Sequence, residues 1–204
     1  MTDRIHHGGK RFVVSHDSTE TTTRFPLPQA IIFDMDETLV DTGKLWRRAE
    51  AELLESLGHV WTAERAARYK GRNVADVATF IHEDVGAAGP VGNARTFLRQ
   101  ALFRSFESGP IEPMPGAVAC VRRLAPHGPM AVASGSPLPL IELAMTRLGI
   151  RDAFEVLMSS ESVPRGKPHP DVFLATAQSL GVPPESCLVL EDSLAGARPP
   201  RRLV

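Results

Sequence analysis

The sequence is poor in cysteine, lysine and aromatic residues, and these shortages limit the classes of protein to which it can belong. Two of its 204 residues are cysteines, Cys120 and Cys187. This count argues against a disulfide framework, and both cysteines lie in apolar contexts, so we expect buried thiols in a reducing compartment. No apolar run approaches the roughly 18 residues of a membrane span, and the N-terminus lacks the apolar core of a secretion signal. These absences predict a cytoplasmic protein.

Charge of either sign is not in excess, because the formal net charge is −1. A near-neutral chain has no general electrostatic attraction for nucleic acids or acidic membranes, so we expect neither as a partner. The positive charge comes from 19 arginines and four lysines, which makes each lysine, Lys167 included, more noteworthy. The apolar content of 43% is ordinary for a globular protein, and we expect a monomer or a weak homo-oligomer.

A short apolar run ends in two carboxylates within segment 30–42, AIIFDMDETLVDT. Such a run predicts a buried parallel strand that delivers Asp34 and Asp36 to the carboxyl edge of a sheet, where open α/β folds place their chemistry. Because side chains alternate along a strand, the two carboxylates are expected to point the same way. The pattern alone is also compatible with a metal-free turn that carries two solvated acids.

Three further segments continue this pattern in chain order. They are 130–137 (MAVASGSP) with Ser134 and Gly135, 165–170 (RGKPHP) with Lys167, and 187–196 (CLVLEDSLAG) with Glu191 and Asp192. Carboxylate oxygens are hard ligands that suit Mg²⁺, whereas a hydroxyl, a backbone N–H and an ammonium group suit phosphate oxygens. Together the four segments carry the residue types of a magnesium and phosphate site.

The rest of the chain predicts a division into a core and an insert. Apolar spacing predicts helices over 44–57, 63–69, 74–82 and 93–108, an all-helical insert between the first two motifs. Strands then alternate with helices at 117–125, 139–148 and 171–180, which predicts a doubly wound parallel sheet. We therefore expect a flexible extension over 1–28, a core over 29–43 and 113–204, and a helical cap domain over 44–112.

The four motifs resemble the signature motifs of the haloacid dehalogenase (HAD) superfamily over residues 30–196. Within it the chain is most similar to the 2-deoxyglucose-6-phosphatase and β-phosphoglucomutase-like branch, through DMD, Asp41-Thr42, Leu45-Trp46, SGSP, KPHPDVF and LEDSLAG. The resemblance implies an α/β, HAD-like doubly wound core with an inserted all-helical cap. The implied function is a Mg²⁺-dependent phosphatase acting on a small-molecule phosphate ester, a sugar or polyol phosphate, through an aspartyl-phosphate.

The resemblance also assigns roles to individual residues. Asp34 is the expected nucleophile and Asp36 the general acid and base, a second acid that dehalogenases lack. The expected magnesium ligands are Asp34, the backbone carbonyl of Asp36, Glu191 (directly or through water) and Asp192. The expected phosphate and substrate contacts are Ser134, the Gly135 N–H, Lys167 and Arg72.

Three positions depart from the family pattern. Glu37 replaces a glycine beside the second aspartate, and its carboxylate either faces the metal or turns away. Trp46 stands where the mutase branch usually has histidine, which disfavours a mutase and leaves Trp46 as a cleft residue or a plain core aromatic. After LAGA the chain reads RPPRRLV, where Pro199-Pro200 blocks a helix, so we expect the C-terminal strand of the family to be missing.

Two alternatives to the phosphatase stay open at this point. One is a β-phosphoglucomutase-like phosphotransferase, which returns an isomer without net release of phosphate. The other is a truncated, non-catalytic HAD-like protein that lacks the strand expected to flank 187–190.

Overall fold

A four-stranded parallel sheet forms the centre of the computed structural model, which describes residues 27–192. The strand order is β3-β2-β1-β4, with bounds Ala30–Phe33 (β1), Met130–Ser134 (β2), Val156–Ser159 (β3) and Cys187–Leu190 (β4). Every residue of β1 and β2 is buried, which explains why both strands are continuous apolar runs without alternation. The predicted doubly wound α/β fold is confirmed. The expectations for residues 1–26 and 193–204 lie outside the described residues.

Seven α-helices accompany these strands in the part of the chain that the structure describes. They are α1 (Gly43–Ser56), α2 (Ala63–Ala67), α3 (Val74–Asp84), α4 (Val91–Ser108), α5 (Ala117–Leu124), α6 (Leu138–Arg147) and α7 (Asp171–Leu180). Each lies within a few residues of the helix that apolar spacing predicts. None of these helices is long and apolar enough to span a membrane.

The helices between β1 and β2 pack on one another, as an all-helical insert requires. α4 contacts both α1 and α3, and Leu98, Leu102 and Phe106 of α4 share a buried cluster with Leu53 and Leu54 of α1. The spacing of three to four residues puts these side chains on one face of each helix. Side-chain caps begin the shorter helices. Thr62 Oγ1 accepts from the Arg65 N–H at 3.2 Å, and Asn73 Oδ1 accepts from the Asp76 N–H at 2.9 Å.

The parallel register places three chain segments at one edge of the sheet. Phe33 of β1 pairs with Val132 of β2 on one side and with Leu190 of β4 on the other. The residues that follow these strands therefore meet at the carboxyl edge. On the outer flank, Leu188 and Val189 of β4 are 44% and 36% exposed, because β4 is the edge strand among the described residues.

The expectation that both cysteines are buried is wrong. Cys120 is exposed and Cys187 is only partly buried, although both are free thiols as predicted. On α5 the buried positions are Ala117 and Val121, four residues apart, and Cys120 lies outside that face. Apolar neighbours in sequence did not reveal the orientation of this short helix.

Candidate active site

The buried ammonium of Lys167 joins two carboxylates at the carboxyl edge of the sheet. Its Nζ lies 2.6 Å from Asp34 Oδ1 and 2.7 Å from Glu191 Oε2, and the lysine is 1% exposed. Asp34 follows β1 and Glu191 follows β4, so the register of the two strands sets the distance between them. The face of the Phe173 ring lies 4.8 Å from the same ammonium. The lysine therefore sits between two acids in an environment with little water.

Burial and the neighbouring charges together shift the pKa values of Asp34 and Lys167. Burial, with the charges of Glu191 and Asp36, raises the pKa of Asp34 to about 7, although Lys167 opposes the shift. Burial alone lowers the pKa of Lys167, but the two carboxylates outweigh it, so its pKa is raised overall. The lysine therefore keeps its charge, and a further cation near Asp34 favours the ionised carboxylate.

Three carboxylates form a candidate metal site. Oxygen atoms of Asp34, Glu191 and Asp192 all lie within 4.8 Å of one another. Three hard oxygen ligands on one side of a cavity suit Mg²⁺, which usually keeps several waters besides one or two carboxylates. Lys70 Nζ reaches Asp192 Oδ2 at 2.8 Å from the helical insert, and this hydrogen bond raises the pKa of Lys70. The residues present therefore fit a divalent cation.

Four donors surround the carboxylate of Asp36. The Trp46 indole N–H and the Thr42 hydroxyl donate to Oδ1 at 3.0 and 2.8 Å, whereas the Ser134 and Ser136 hydroxyls donate to Oδ2 at 2.7 and 3.0 Å. The three hydroxyls can also accept, so they adapt to either protonation state of the acid, while the indole can only donate. The shell fixes the orientation of Asp36 and still permits a proton to come and go.

Glu37 places its carboxylate at the start of α1, in the wall of the cavity. Its backbone has a φ of 63°, the left-handed conformation that glycine adopts most easily, which fits the glycine that the family resemblance implies at this position. The side chain caps α1, because the Gly43 N–H donates to Glu37 Oε1 at 2.7 Å. A negative charge at the start of a helix is stabilising, and Thr42, the residue before α1, makes no side-chain cap.

We predict that Glu37→Gln has only a modest effect, because the amide oxygen keeps the acceptor for the Gly43 N–H. Losing the charge at the helix start is expected to cost about 0.5–1 kcal/mol of stability. Activity and the Mg²⁺ concentration needed for half-maximal activity should change by less than about threefold. Urea unfolding and a magnesium titration measure the two quantities. A tenfold change in the magnesium requirement would contradict this assignment.

Gly135 allows the helical insert to approach the core. A Cβ at this position would lie 2.7 Å from the backbone oxygen of Arg72, so only glycine fits without a shift. Arg72 itself lines the cavity, and its guanidinium lies 5.5 Å from the centre of the Phe80 ring. The neighbouring Ser134 is fully buried, and its hydroxyl also accepts from the Ser136 N–H at 2.9 Å.

A cavity of about 330 Å³ lies between the sheet edge and the helical insert. Its core wall includes Asp34, Asp36 and Asp192, which are predicted site residues. The opposite wall comes from α1 and the segment around α2, and its lining residues include Trp46, Arg47, Glu50, Trp61, Tyr69, Lys70 and Arg72. The structure therefore brings most of the predicted residues to one cavity of a size suited to a small molecule, whereas Ser134 and Lys167 are buried behind its lining.

Sequence reasoning missed several residues of this site. Ser136 was not singled out, although a hydroxyl two residues after Ser134 is a signal that could have found it. Thr42 was noted only as part of the family resemblance. Trp46 was named as a cleft residue or a core aromatic, and it lines the cavity, but its contact with Asp36 was not foreseen. Glu50 gave no signal at all, because one acid on an amphipathic helix is usually solvated.

Comparisons with known proteins agree with this geometry. A family model of haloacid dehalogenase-like hydrolases matches residues 28–202. Hexitol phosphatase B from Escherichia coli is 34% identical over 171 residues, which cover 82% of this chain and 76% of that protein. Fructose-1-phosphate phosphatase YqaB from Escherichia coli is 32% identical over 171 residues, covering 84% of this chain and 90% of that protein.

A solved structure shares the fold at similar coverage. CbbY from Rhodobacter sphaeroides, in complex with xylulose-(1,5)bisphosphate, matches with a TM-score of 0.71 and 27% identity, covering 83% of this chain and 80% of that one. The chain therefore belongs to the haloacid dehalogenase-like hydrolases. Within that family it falls in the predicted helical-cap branch of sugar-phosphate phosphatases and β-phosphoglucomutase-like proteins, and the predicted class, phosphoric monoester hydrolase, is confirmed.

Proposed function

We propose that this protein is a Mg²⁺-dependent phosphatase that hydrolyses a sugar or polyol phosphate through an aspartyl-phosphate on Asp34. The observation that carries the proposal is the buried contact of Lys167 with Asp34 and Glu191, both of which line the cavity. A phosphate dianion approaching a carboxylate is repelled unless cations lie between them. Asp34, Glu191 and Asp192 would hold Mg²⁺, which when bound supplies charge neutralisation.

The residues support a two-step reaction. In the first step a carboxylate oxygen of Asp34 bonds to phosphorus while the bond to the leaving oxygen breaks, and Asp36 donates a proton to that oxygen. In the second step water attacks the phosphorus of the aspartyl-phosphate, Asp36 takes the water proton, and Asp34 is released with inorganic phosphate. Lys167 and the Gly135 N–H would bind the phosphoryl oxygens, whereas the buried Ser134 hydroxyl, which donates to Asp36, would orient that acid. Positioning with charge stabilisation carries most of the catalysis.

The shell around Asp36 favours a phosphatase over a mutase. Trp46 occupies the position where histidine is usual in the mutase branch, and its indole can only donate to Asp36. Position 46 of α1 therefore supplies no titratable side chain that could transfer protons beside Asp36. We also propose that residues 44–112 act as a cap domain, since Lys70 and Arg72 from this segment contact Asp192 and Gly135 of the core.

We predict that Asp36→Asn separates the two steps. The phenolate of an aryl phosphate is a good leaving group that needs no proton, so the first step continues. Hydrolysis of the aspartyl-phosphate slows, because no base accepts the proton of the attacking water. We expect a burst of aryl alcohol equal to the enzyme concentration, followed by turnover reduced about 10²- to 10⁴-fold. Stopped-flow absorbance measures the burst, and intact-mass spectrometry detects the phosphorylated chain.

Activity assays on the wild-type protein test the proposed function. Wild-type protein should release phosphate from hexitol 6-phosphates and fructose 1-phosphate with Mg²⁺ and lose that activity with EDTA. Conversion of a sugar phosphate to its isomer, dependent on a phosphorylated activator and without net phosphate release, would establish the mutase instead. Absence of turnover with every phosphate ester would establish the non-catalytic alternative.

A further inference from the structure

A buried carboxylate that the proposed chemistry does not use lies in the wall of the same cavity. Glu50 on α1 is 6% exposed and lines the cavity together with Trp61 and Tyr69. The Trp61 indole N–H donates to Glu50 Oε2 at 2.7 Å. A carboxylate offers about four acceptor positions, so the Trp61 N–H and the nearby Tyr69 hydroxyl leave the acid able to accept further hydrogen bonds. Acidic side chains are rarely buried unless they are paired with another group.

Glu50 lies one helical turn from Trp46, the residue of α1 that contacts Asp36. Trp46 and Glu50 are four residues apart on α1, so they lie on one face about 6 Å apart along the helix axis. Trp46 contacts the Asp36 carboxylate, which marks the place of the leaving oxygen. Glu50 therefore faces the part of a bound ester that lies one helical turn beyond that oxygen, which is the leaving group and not the phosphate.

A second polar group at this end of the cavity is incompletely paired. The Tyr69 side chain is 3% exposed, and its hydroxyl meets the geometry of a hydrogen bond with no described residue. It nevertheless lies near enough to Glu50 to lower the pKa of that acid, whose pKa burial raises overall. A buried hydroxyl without a well-formed bond is costly, and a ligand hydroxyl placed between Tyr69 and Glu50 would satisfy both groups.

The chemistry of this end of the cavity indicates the kind of group it binds. Trp61 has Glu50 at its N–H and the Arg47 guanidinium 4.9 Å from its ring centre, so the aromatic surface is held rigidly. A carboxylate beside an aromatic face binds hydroxyl groups and the C–H faces of a carbohydrate. These properties differ from those of the core wall, where Lys167 and the metal-ligating acids receive the phosphoryl group.

We propose that Glu50, with Trp61 and Tyr69, forms a subsite that accepts hydrogen bonds from the hydroxyl groups of a polyol or sugar leaving group and thereby selects the substrate. This inference rests on the proposed function, because the subsite recognises the leaving group of the same reaction. Glu50 acts on selection and not on the transfer of the phosphoryl group.

The test compares two substrates that share the phosphate and differ in the leaving group, sorbitol 6-phosphate and an aryl phosphate without hydroxyls. In Glu50→Gln the ratio of kcat/KM for sorbitol 6-phosphate to that for the aryl phosphate should fall about 10- to 100-fold. The amide oxygen can still accept from Trp61, so the fold should be retained, which a melting curve checks. Glu50→Asp, which shortens the side chain and keeps its charge, should lower the ratio less.

Glu52→Gln is the matched control, since it removes the same charge from the same helix. Glu52 bonds Arg104 across the insert surface and is absent from the cavity wall, so the ratio should stay unchanged. If wild type is active and Glu50→Gln leaves the ratio unchanged, or lowers both substrates equally, the subsite is wrong and the phosphatase stands. If wild-type protein hydrolyses neither substrate, the proposed function fails and the subsite fails with it.

Discussion

Asp34→Asn is expected to reduce phosphate release from every substrate by about 10⁴-fold or more, the scale seen when a nucleophile is removed. An amide is a poor nucleophile and no aspartyl-phosphate can form at position 34. The substitution also removes one of the three clustered acids of the candidate metal site, so both the covalent step and the charge neutralisation should suffer. No burst should occur with an aryl phosphate, in contrast to Asp36→Asn, because the first step itself is lost.

Loss of activity in this variant should not result from unfolding. Asparagine has almost the size of aspartate, and Lys167 keeps Glu191 as a partner at 2.7 Å. Because burial penalises a charge at position 34, a neutral side chain there is well tolerated, and we expect a melting temperature within a few degrees of wild type. Asp152→Asn, at an exposed acid outside the cavity wall, provides the matched control. Activity retained in Asp34→Asn would mean that the phosphatase chemistry occurs elsewhere.

The positions of the site segments could be predicted because each depends on a local rule. An apolar run that stops at polar residues predicts where a buried parallel strand ends. Asp34 and Glu191 directly follow β1 and β4, and Ser134 is the last residue of β2. Parallel strands put their carboxyl ends on the same edge, so the meeting of these segments followed without knowledge of side-chain contacts. The family resemblance added the chemical roles.

Other features of the site could not be predicted because they depend on packing between distant segments. Lys70 and Asp192 are 122 residues apart, and only the closure of the helical insert over the core brings them within 2.8 Å. The direction of the Glu37 side chain depends on its left-handed backbone and on the start of α1, so its sequence position alone left two orientations open. Glu50 looked like any acid of an amphipathic helix until Trp61 covered it.

The double role of Lys167 connects stability with function in this site. The ammonium separates Asp34 from Glu191. Without it the two buried acids would either repel each other or have to bind a proton, because the medium screens charge poorly and burial already raises the pKa of Asp34 to about 7. The same two carboxylates are members of the candidate metal site. The protein therefore places a permanent cation beside the position of an exchangeable one, and each cation should reduce the need for the other in keeping the fold.

Lys167→Met is accordingly expected to lower the free energy of unfolding by about 3–5 kcal/mol in the absence of metal, since it removes the ammonium that pairs with both buried acids. For a protein of this size that loss corresponds to a fall in melting temperature of about 10 °C. Saturating Mg²⁺ should raise the melting temperature of the variant more than that of wild type, because the ion then neutralises the two acids. Differential scanning calorimetry with and without Mg²⁺ measures both effects.

A double substitution tests whether repulsion between the acids is the cause. Lys167→Met combined with Glu191→Gln should be more stable than Lys167→Met alone, because the repulsion between the two acids is relieved, although Glu191→Gln alone should destabilise wild type. Lys44→Met, at an exposed lysine of α1, controls for the change in charge and should leave the melting temperature within about 2 °C of wild type. If the losses from Lys167→Met and Glu191→Gln simply add, the lysine stabilises the fold through packing, and the coupling between the ammonium and the metal-ligating acids is disproved.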